Sequence, residues 1–202
     1  MFYRFAWTLC RAYLILLRRM TIAGIDNVPE QGGFVLVSNH ISYWDPVVIG
    51  CALPKTRQIY FMAKHELFKI PLLGTVINAL GAFPVKRGGA DRSAIRIALN
   101  HLEKSRSVGI FPEGTRSKTD EILDPHMGAA MLSTRSGVPV LPVAVTGTRG
   151  FSGKIHISFG KPLDFHSEFT LKKAGREEFK TISSAIINSI SGLMDIKSGD
   201  IN

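Results

Sequence analysis

The chain has 202 residues, 45% of them hydrophobic, with 25 lysines and arginines against 16 acidic residues and a formal charge of +9. Those values exclude a disordered polyelectrolyte and fit one domain with a full core; the basic excess calls for anionic partners. Two cysteines, Cys10 and Cys51, are too few for a disulfide framework or a cysteine zinc site and fit a reducing compartment.

Residues 1–20 predict an amphipathic helix lying in a membrane interface. Arg4, Arg11 and Arg18 recur every seven residues and with Thr8 form one narrow stripe. Phe2, Phe5, Trp7, Leu9, Tyr13, Leu14, Leu16 and Leu17 cover the remaining surface with aromatics suited to a headgroup boundary. The arginines interrupt the apolar run before it reaches the roughly 18 residues that a span needs. No small-residue cleavage site follows, as it would in a signal peptide. The competing reading is an ordinary amphipathic helix packed on its own domain.

Residues 21–202 read as one α/β domain with a mainly parallel central sheet flanked by helices. Strands are expected at 34–38, 59–62, 82–85, 108–111, 140–145 and 155–159, where apolar and β-branched residues cluster. Helices are expected at 46–52, 67–80, 92–104 and 128–136. A last amphipathic segment, 176–194, carries Phe179, Ile182, Ile186, Ile190 and Leu193 on one face and reads as a packing helix.

The first of these strands runs into Ser38-Asn39-His40-Ile41-Ser42-Tyr43-Trp44-Asp45-Pro46. A neutral imidazole can take a hydroxyl proton, and a nearby carboxylate fixes its tautomer and stabilises the imidazolium, so His40 and Asp45 together can make a general base. The same residues also fit a plain helix start, with Asp45 as cap and Pro46 in the first turn. Because proline disfavours the α region in the residue before it, His40 and Asp45 must meet across a turn rather than inside one helix.

Three further blocks follow: Gly81-Ala82-Phe83-Pro84-Val85-Lys86-Arg87, Phe111-Pro112-Glu113-Gly114-Thr115-Arg116-Ser117, and Val138-Pro139-Val140-Leu141-Pro142-Val143. In a parallel sheet ligands gather outside the carboxyl ends of the strands. His40 follows the first strand, Arg87 the third and Glu113–Arg116 the fourth, so these motifs converge on one edge. Arg87 and Arg116 are the leading ligands for a phosphate, since guanidinium forks bind it through paired charge-assisted hydrogen bonds, with Lys86 as an added point charge. Gly114 is expected to let backbone approach closely and offer amide donors. Glu113 would repel a phosphate and is expected to hold a hydroxyl of the same ligand or to fix Arg116.

In order and spacing, the four blocks resemble those of the glycerolipid acyltransferase family that includes the 1-acylglycerol-3-phosphate acyltransferases, over about residues 24 to 160. The resemblance implies transfer of a fatty acyl group from a thioester donor, acyl-CoA or acyl carrier protein, to the sn-2 hydroxyl of lysophosphatidic acid. It assigns His40 as base and Asp45 as its orienter, and Arg87 with the run Glu113, Gly114, Thr115 and Arg116 as acceptor-binding. It calls for no metal and no cofactor beyond the thioester co-substrate. With the helix expected at residues 1–20, the chain is expected to be a peripheral or monotopic enzyme on the cytoplasmic face of an anionic membrane. Relatives often carry a lysine shortly before the small pair matching Gly128-Ala129, where this chain has His126 and Met127.

Two alternatives stand beside that expectation. One is acylation of another lysophospholipid. The other is a non-catalytic peripheral protein that binds anionic lipid through Arg4, Arg11 and Arg18, although it leaves the joint presence of His40, Asp45 and FPEGTRS unaccounted for. A serine hydrolase lacks its Gly-x-Ser-x-Gly elbow. Residues 147–154 miss a phosphate loop, with Ile155 where a serine or threonine should stand, and read as a glycine turn before a strand. No C2H2 spacing, RNP-like strand or lysine-rich tail points to nucleic acid.

Overall fold

Short apolar runs separated by helices assemble into a sheet covered on both faces. The computed structural model describes residues 1–86, 91–119, 121–166 and 175–195. Along the chain its elements are α1 (Phe2–Leu16), β1 (Thr21–Ala23), β2 (Val35–Ser38), α2 (Asp45–Ala52), β3 (Ile59–Lys64), α3 (Leu73–Ala79), β4 (Phe83–Val85), α4 (Arg92–Glu103), β5 (Ser107–Ile110), α5 (Gly128–Ser136), β6 (Val140–Thr146), β7 (His156–Phe159) and α6 (Arg176–Asp195).

Among the described residues the sheet has seven strands in the order β1-β7-β6-β2-β5-β3-β4. Neighbours are parallel except β6 and β7, which run antiparallel from Val143 opposite Phe159 to Thr146 opposite His156. The expected α/β class with a mainly parallel sheet is therefore the observed one. Alternation along β2 sends Phe34 and Leu36 into the core under α1 and α2, and Val35 and Val37 into the core under α4, α5 and α6. Burial on both faces is why such strands read as continuous apolar runs. Pro84 sits on the outermost strand, where its missing N–H breaks no inner ladder.

Two elements depart from the expectation. The three-residue β1, unforeseen, pairs with β7 from Thr21 opposite His156 to Ala23 opposite Ser158. So short a strand has no periodicity of its own and exists because β7 offers it an edge. The single helix expected at 67–80 is a 3-10 turn, His65–Lys69, followed by α3. Pro71 breaks the run: Ile70 before it is extended, and Leu72 after it has φ of 64°.

Helix α1 packs on α2, and the basic stripe is not a surface feature. Trp7 Nε1 donates to the carbonyls of Gly50 and Leu53 at 3.0 and 3.2 Å, and Arg11 donates to those of Cys51 and Ala52. These are the carbonyls that a helix C-terminus leaves without partners, and the cation also faces the negative end of the α2 dipole. The helix ends at Leu16, so the seven-residue repeat no longer governs Arg18, which is fully buried. Of the predicted stripe of arginines, Arg4 alone is exposed. On the opposite side Phe2, Phe5, Leu9 and Leu16 stay 48%, 63%, 57% and 75% exposed. No described helix is long and apolar enough to cross a membrane.

Cys10 and Cys51, distant in sequence, meet across the α1–α2 contact as free thiols. Burial, with Cys10 beside it, pushes the Cys51 thiol up to about 12.

Candidate active site

Because β4, β3, β5, β2 and β6 are mutually parallel, their carboxyl ends open on one edge, and the motif residues follow those ends. Past β2 the chain leaves the ladder through Asn39. Its side chain donates to Val145 O at 2.9 Å and accepts from Val145 N at 2.8 Å, standing in for a strand residue against β6.

His40 is then held from four directions. Its backbone N–H donates to Glu113 Oε1 at 2.7 Å and its carbonyl accepts from Ser117 N at 2.8 Å. Its ring stacks on Phe111 with centroids 4.0 Å apart and planes 17° from parallel. Its Nδ1 lies 2.7 Å from Asp45 Oδ2. The turn foreseen between His40 and Asp45 is thus present, and it brings the two side chains together.

Asp45 is fully buried. Oδ2 also accepts from the backbone of Ile41 and Ser42, both at 2.7 Å, and Oδ1 accepts from Thr148 Oγ1 at 2.5 Å. The Oδ2 bonds run back toward residues 40–42 and Oδ1 reaches Thr148, none of them forward into α2, so the carboxylate is not a helix cap, even though Pro46 does sit in the first turn. Four donors thus converge on the carboxylate, three on Oδ2 and one on Oδ1.

Glu113, 4% exposed, binds the two motif segments together. Oε1 takes the His40 amide and Oε2 takes the Leu123 amide at 3.1 Å. Burial raises its pKa from the ordinary 4.5, and those two amides oppose the rise. The expected pairing with Arg116 is absent. Arg116 instead donates from Nη2 to Tyr43 Oη at 2.8 Å, with its guanidinium carbon 3.5 Å above the Tyr43 ring.

Gly114 has φ of 65° and its amide donates to Phe111 O at 3.1 Å, closing the turn rather than facing outward as expected. A β-carbon there would stand 2.8 Å from the His126 ring, so the glycine also makes room for His126. Thr115 and Arg116 are exposed beside it. Lys86 is exposed just past β4, its amide donating at 2.8 Å to Asp91 Oδ2, while Oδ1 of that aspartate caps α4. Arg87 lies outside the described residues.

Sequence reasoning missed Thr148, Phe111 and Tyr43 as parts of this constellation, and saw His126 only as a departure. No spacing rule points to Thr148, which lies 103 residues from Asp45. The glycine run that holds it is a turn, as read, with φ of 72°, 70° and 103° at Gly147, Gly150 and Gly153. Among the described residues no group of three or more His, Cys, Asp or Glu gathers as it would around a metal ion.

Comparison with known proteins gives this geometry a family. Residues 19–146 match the Acyltransferase family model. The 1-acyl-sn-glycerol-3-phosphate acyltransferase of Streptococcus pneumoniae is 35% identical over 168 residues, covering 80% of this chain and 61% of that relative. The chain therefore spans about three fifths of that protein's length. The Bacillus subtilis 1-acyl-sn-glycerol-3-phosphate acyltransferase is 30% identical over 166 residues, covering 80% of this chain and 82% of the relative. Among solved structures, the 1-acyl-sn-glycerophosphate (LPA) acyltransferase PlsC from Thermotoga maritima superposes with a TM-score of 0.73 and 25% identity, over 97% of this chain and 80% of that one. A family match across most of the sheet, a relative aligned over most of its length and a shared fold all point one way, and the chain belongs to the 1-acyl-sn-glycerol-3-phosphate acyltransferase family.

Proposed function

We propose that the protein transfers a fatty acyl group from a thioester, acyl-CoA or acyl carrier protein, to the free sn-2 hydroxyl of 1-acylglycerol-3-phosphate, yielding phosphatidic acid and a free thiol. The observation that carries the reading is the buried contact of 2.7 Å between His40 Nδ1 and Asp45 Oδ2 at the carboxyl edge of the sheet. Asp45 holds the proton on Nδ1, which leaves Nε2 as the ring nitrogen that takes the hydroxyl proton. The deprotonating oxygen attacks the thioester carbonyl, a C–O bond forms, and the C–S bond breaks as the intermediate collapses. The imidazolium returns its proton to the departing thiolate. No acyl-enzyme is required.

Arg116 and Lys86, exposed on the same edge, supply cationic ligands for the acceptor phosphate, joined by Arg87. Thr115 and Gly114 shape the wall beside them. Glu113 serves by tying His40 to the Phe111–Ser117 turn rather than by touching the acceptor. The exposed apolar face of α1 seats the enzyme as a peripheral or monotopic protein on the cytoplasmic face of an anionic membrane, where both lipid substrate and product reside.

The test is thiol release by purified protein given lysophosphatidic acid and, separately, acyl-CoA or acyl carrier protein thioester, with phosphatidic acid followed as product. One donor is expected to support turnover only when the acceptor is present. Equal turnover with lysophosphatidylcholine would reject the phosphomonoester acceptor. Absence of thiol release with either donor would reject the reaction.

A further inference from the structure

We propose that residues 147–153 form a positioning strap for the catalytic pair, through which Thr148 and Arg18 set the orientation of Asp45; this rests on the reading of His40 as the base.

The argument starts at the carboxylate. Oδ2 of Asp45 receives His40 Nδ1 and the amides of Ile41 and Ser42, all at 2.7 Å. Contacts to a single oxygen leave the carboxylate able to pivot about that atom, which changes the direction of the lone pair offered to the imidazole. Thr148 Oγ1, 2.5 Å from Oδ1, supplies the second point that fixes the plane. Thr148 is fully buried, so no water takes over the contact when it is lost.

Thr148 lies outside regular structure, so something else must hold it. The strap turns through glycines at 147, 150 and 153, all with positive φ, and the carbonyls of these same three glycines converge on one guanidinium. Arg18 donates from Nη2 to Gly147 O at 2.9 Å, from Nη1 to Gly150 O at 3.2 Å and from Nε to Gly153 O at 3.1 Å. A planar fork with fixed donor directions suits three carbonyls arranged around it, which a lysine ammonium cannot match. The carbonyl of Arg18 also accepts from Ile155 N at 3.1 Å, and Tyr13 Oη donates to Phe151 O at 3.1 Å. At Gly147 a β-carbon would lie 1.9 Å from Lys154 O, so the strap closes on itself too tightly for any other residue.

A chain of contacts thus runs from Arg18 to the strap, which Arg149 also ties to the carbonyls of Ser117 and Thr119, and from the strap through Thr148 to Asp45 and His40. Arg18 follows directly on α1, so the seating of that helix and the geometry of the base share one residue.

The experiment compares wild type, Thr148→Val, Thr148→Ser, Arg18→Lys, Thr148→Val/Arg18→Lys and His40→Ala, with whichever thioester the wild type turns over. Valine keeps the shape of threonine and deletes its donor. Losing one hydrogen bond to a charged partner is expected to lower kcat about 10-fold or more. KM for both substrates should stay within about twofold, as for a group that acts on the chemical step. Serine restores the hydroxyl and should recover most of kcat. Arg18→Lys should lower kcat alone but add little in the valine background, since both act through the same contact. Full kcat in Thr148→Val while His40→Ala is inactive would overturn the strap alone; so would a serine variant as impaired as valine, or additive losses in the double variant. Wild-type turnover by His40→Ala would overturn the base reading and the strap with it.

Discussion

Glu113 accepts the backbone N–H of His40 at 2.7 Å, and that contact ties the Phe111–Ser117 turn to the histidine loop. A carboxylate in the FPEGTRS block thus holds the His40 backbone from behind, and it does so while buried. A glutamine there could accept one of the two amides, but its NH2 would face the other donor.

Glu113→Gln should therefore destabilise the fold by about 1–3 kcal/mol and lower turnover. The sign of its pH dependence follows from the raised pKa. A carboxyl whose folded pKa lies above its unfolded value of 4.5 adds stability in full below that value and loses it as pH rises through the folded pKa. The glutamine variant has no such loss, so the stability gap between the two proteins should narrow as pH rises upward from 4.5. Denaturant midpoints across that range measure it; a widening gap would contradict the assignment.

His40→Ala should lower kcat by at least ~100-fold, the ordinary cost of losing a general base, with a melting temperature close to wild type. Asp45→Asn should be similarly severe. The amide opposes at least one of the donors now aimed at the carboxylate, and it cannot stabilise an imidazolium. An active asparagine variant would reduce Asp45 to a helix-start residue.

Arg116→Ala should raise the acceptor KM by about 10- to 100-fold, from the loss of a charge-assisted contact, and change the donor KM much less. Tyr43→Leu should raise the acceptor KM to a smaller extent, because the tyrosine holds the guanidinium ready and does not carry its charge. Equal effects on both substrates would place Arg116 in the donor site or the scaffold.

Membrane seating is best tested by substitution on the exposed side of α1, because Leu14 and Arg18 are buried and removing the segment would remove core. Phe5, Leu9 and Leu16 changed together to Gln should weaken sedimentation with phosphatidylglycerol vesicles more than tenfold, given ~1.5–3 kcal/mol for each large apolar side chain taken from water. Melting temperature and turnover of a short-chain, water-soluble acceptor should hold. Unchanged vesicle binding would move the membrane face elsewhere.

Alkylation gives a simpler check on the α1–α2 contact. With the Cys51 thiol pushed up to about 12, iodoacetamide at pH 8 should modify it only slowly in the native protein and readily after denaturation. Fast native labelling of Cys51 would mean that α1 undocks.

What the amino-acid order determined by itself was whatever is encoded locally or as a motif. The inner strands were legible because burial on both faces demands continuous apolar runs, and α6 because its isoleucines recur at helical spacing with Ile182, Ile186 and Ile190 buried. His40 and Asp45 were legible as a pair because reactive residue types stand at a short separation, and the FPEGTRS block through its resemblance to the acyltransferase family. Tertiary structure decided the rest. The seven-residue repeat of Arg4, Arg11 and Arg18 described a surface stripe only while the helix lasted; it ends at Leu16, and Arg18 turns inward to three carbonyls. The amphipathicity of α1 could not say which side packs; in the fold, the side bearing Trp7 and Arg11 meets the carbonyl end of α2. Thr148 carried no local signal, because its role depends on a contact made 103 residues away, between a glycine turn and a carboxylate that only the closed sheet brings together.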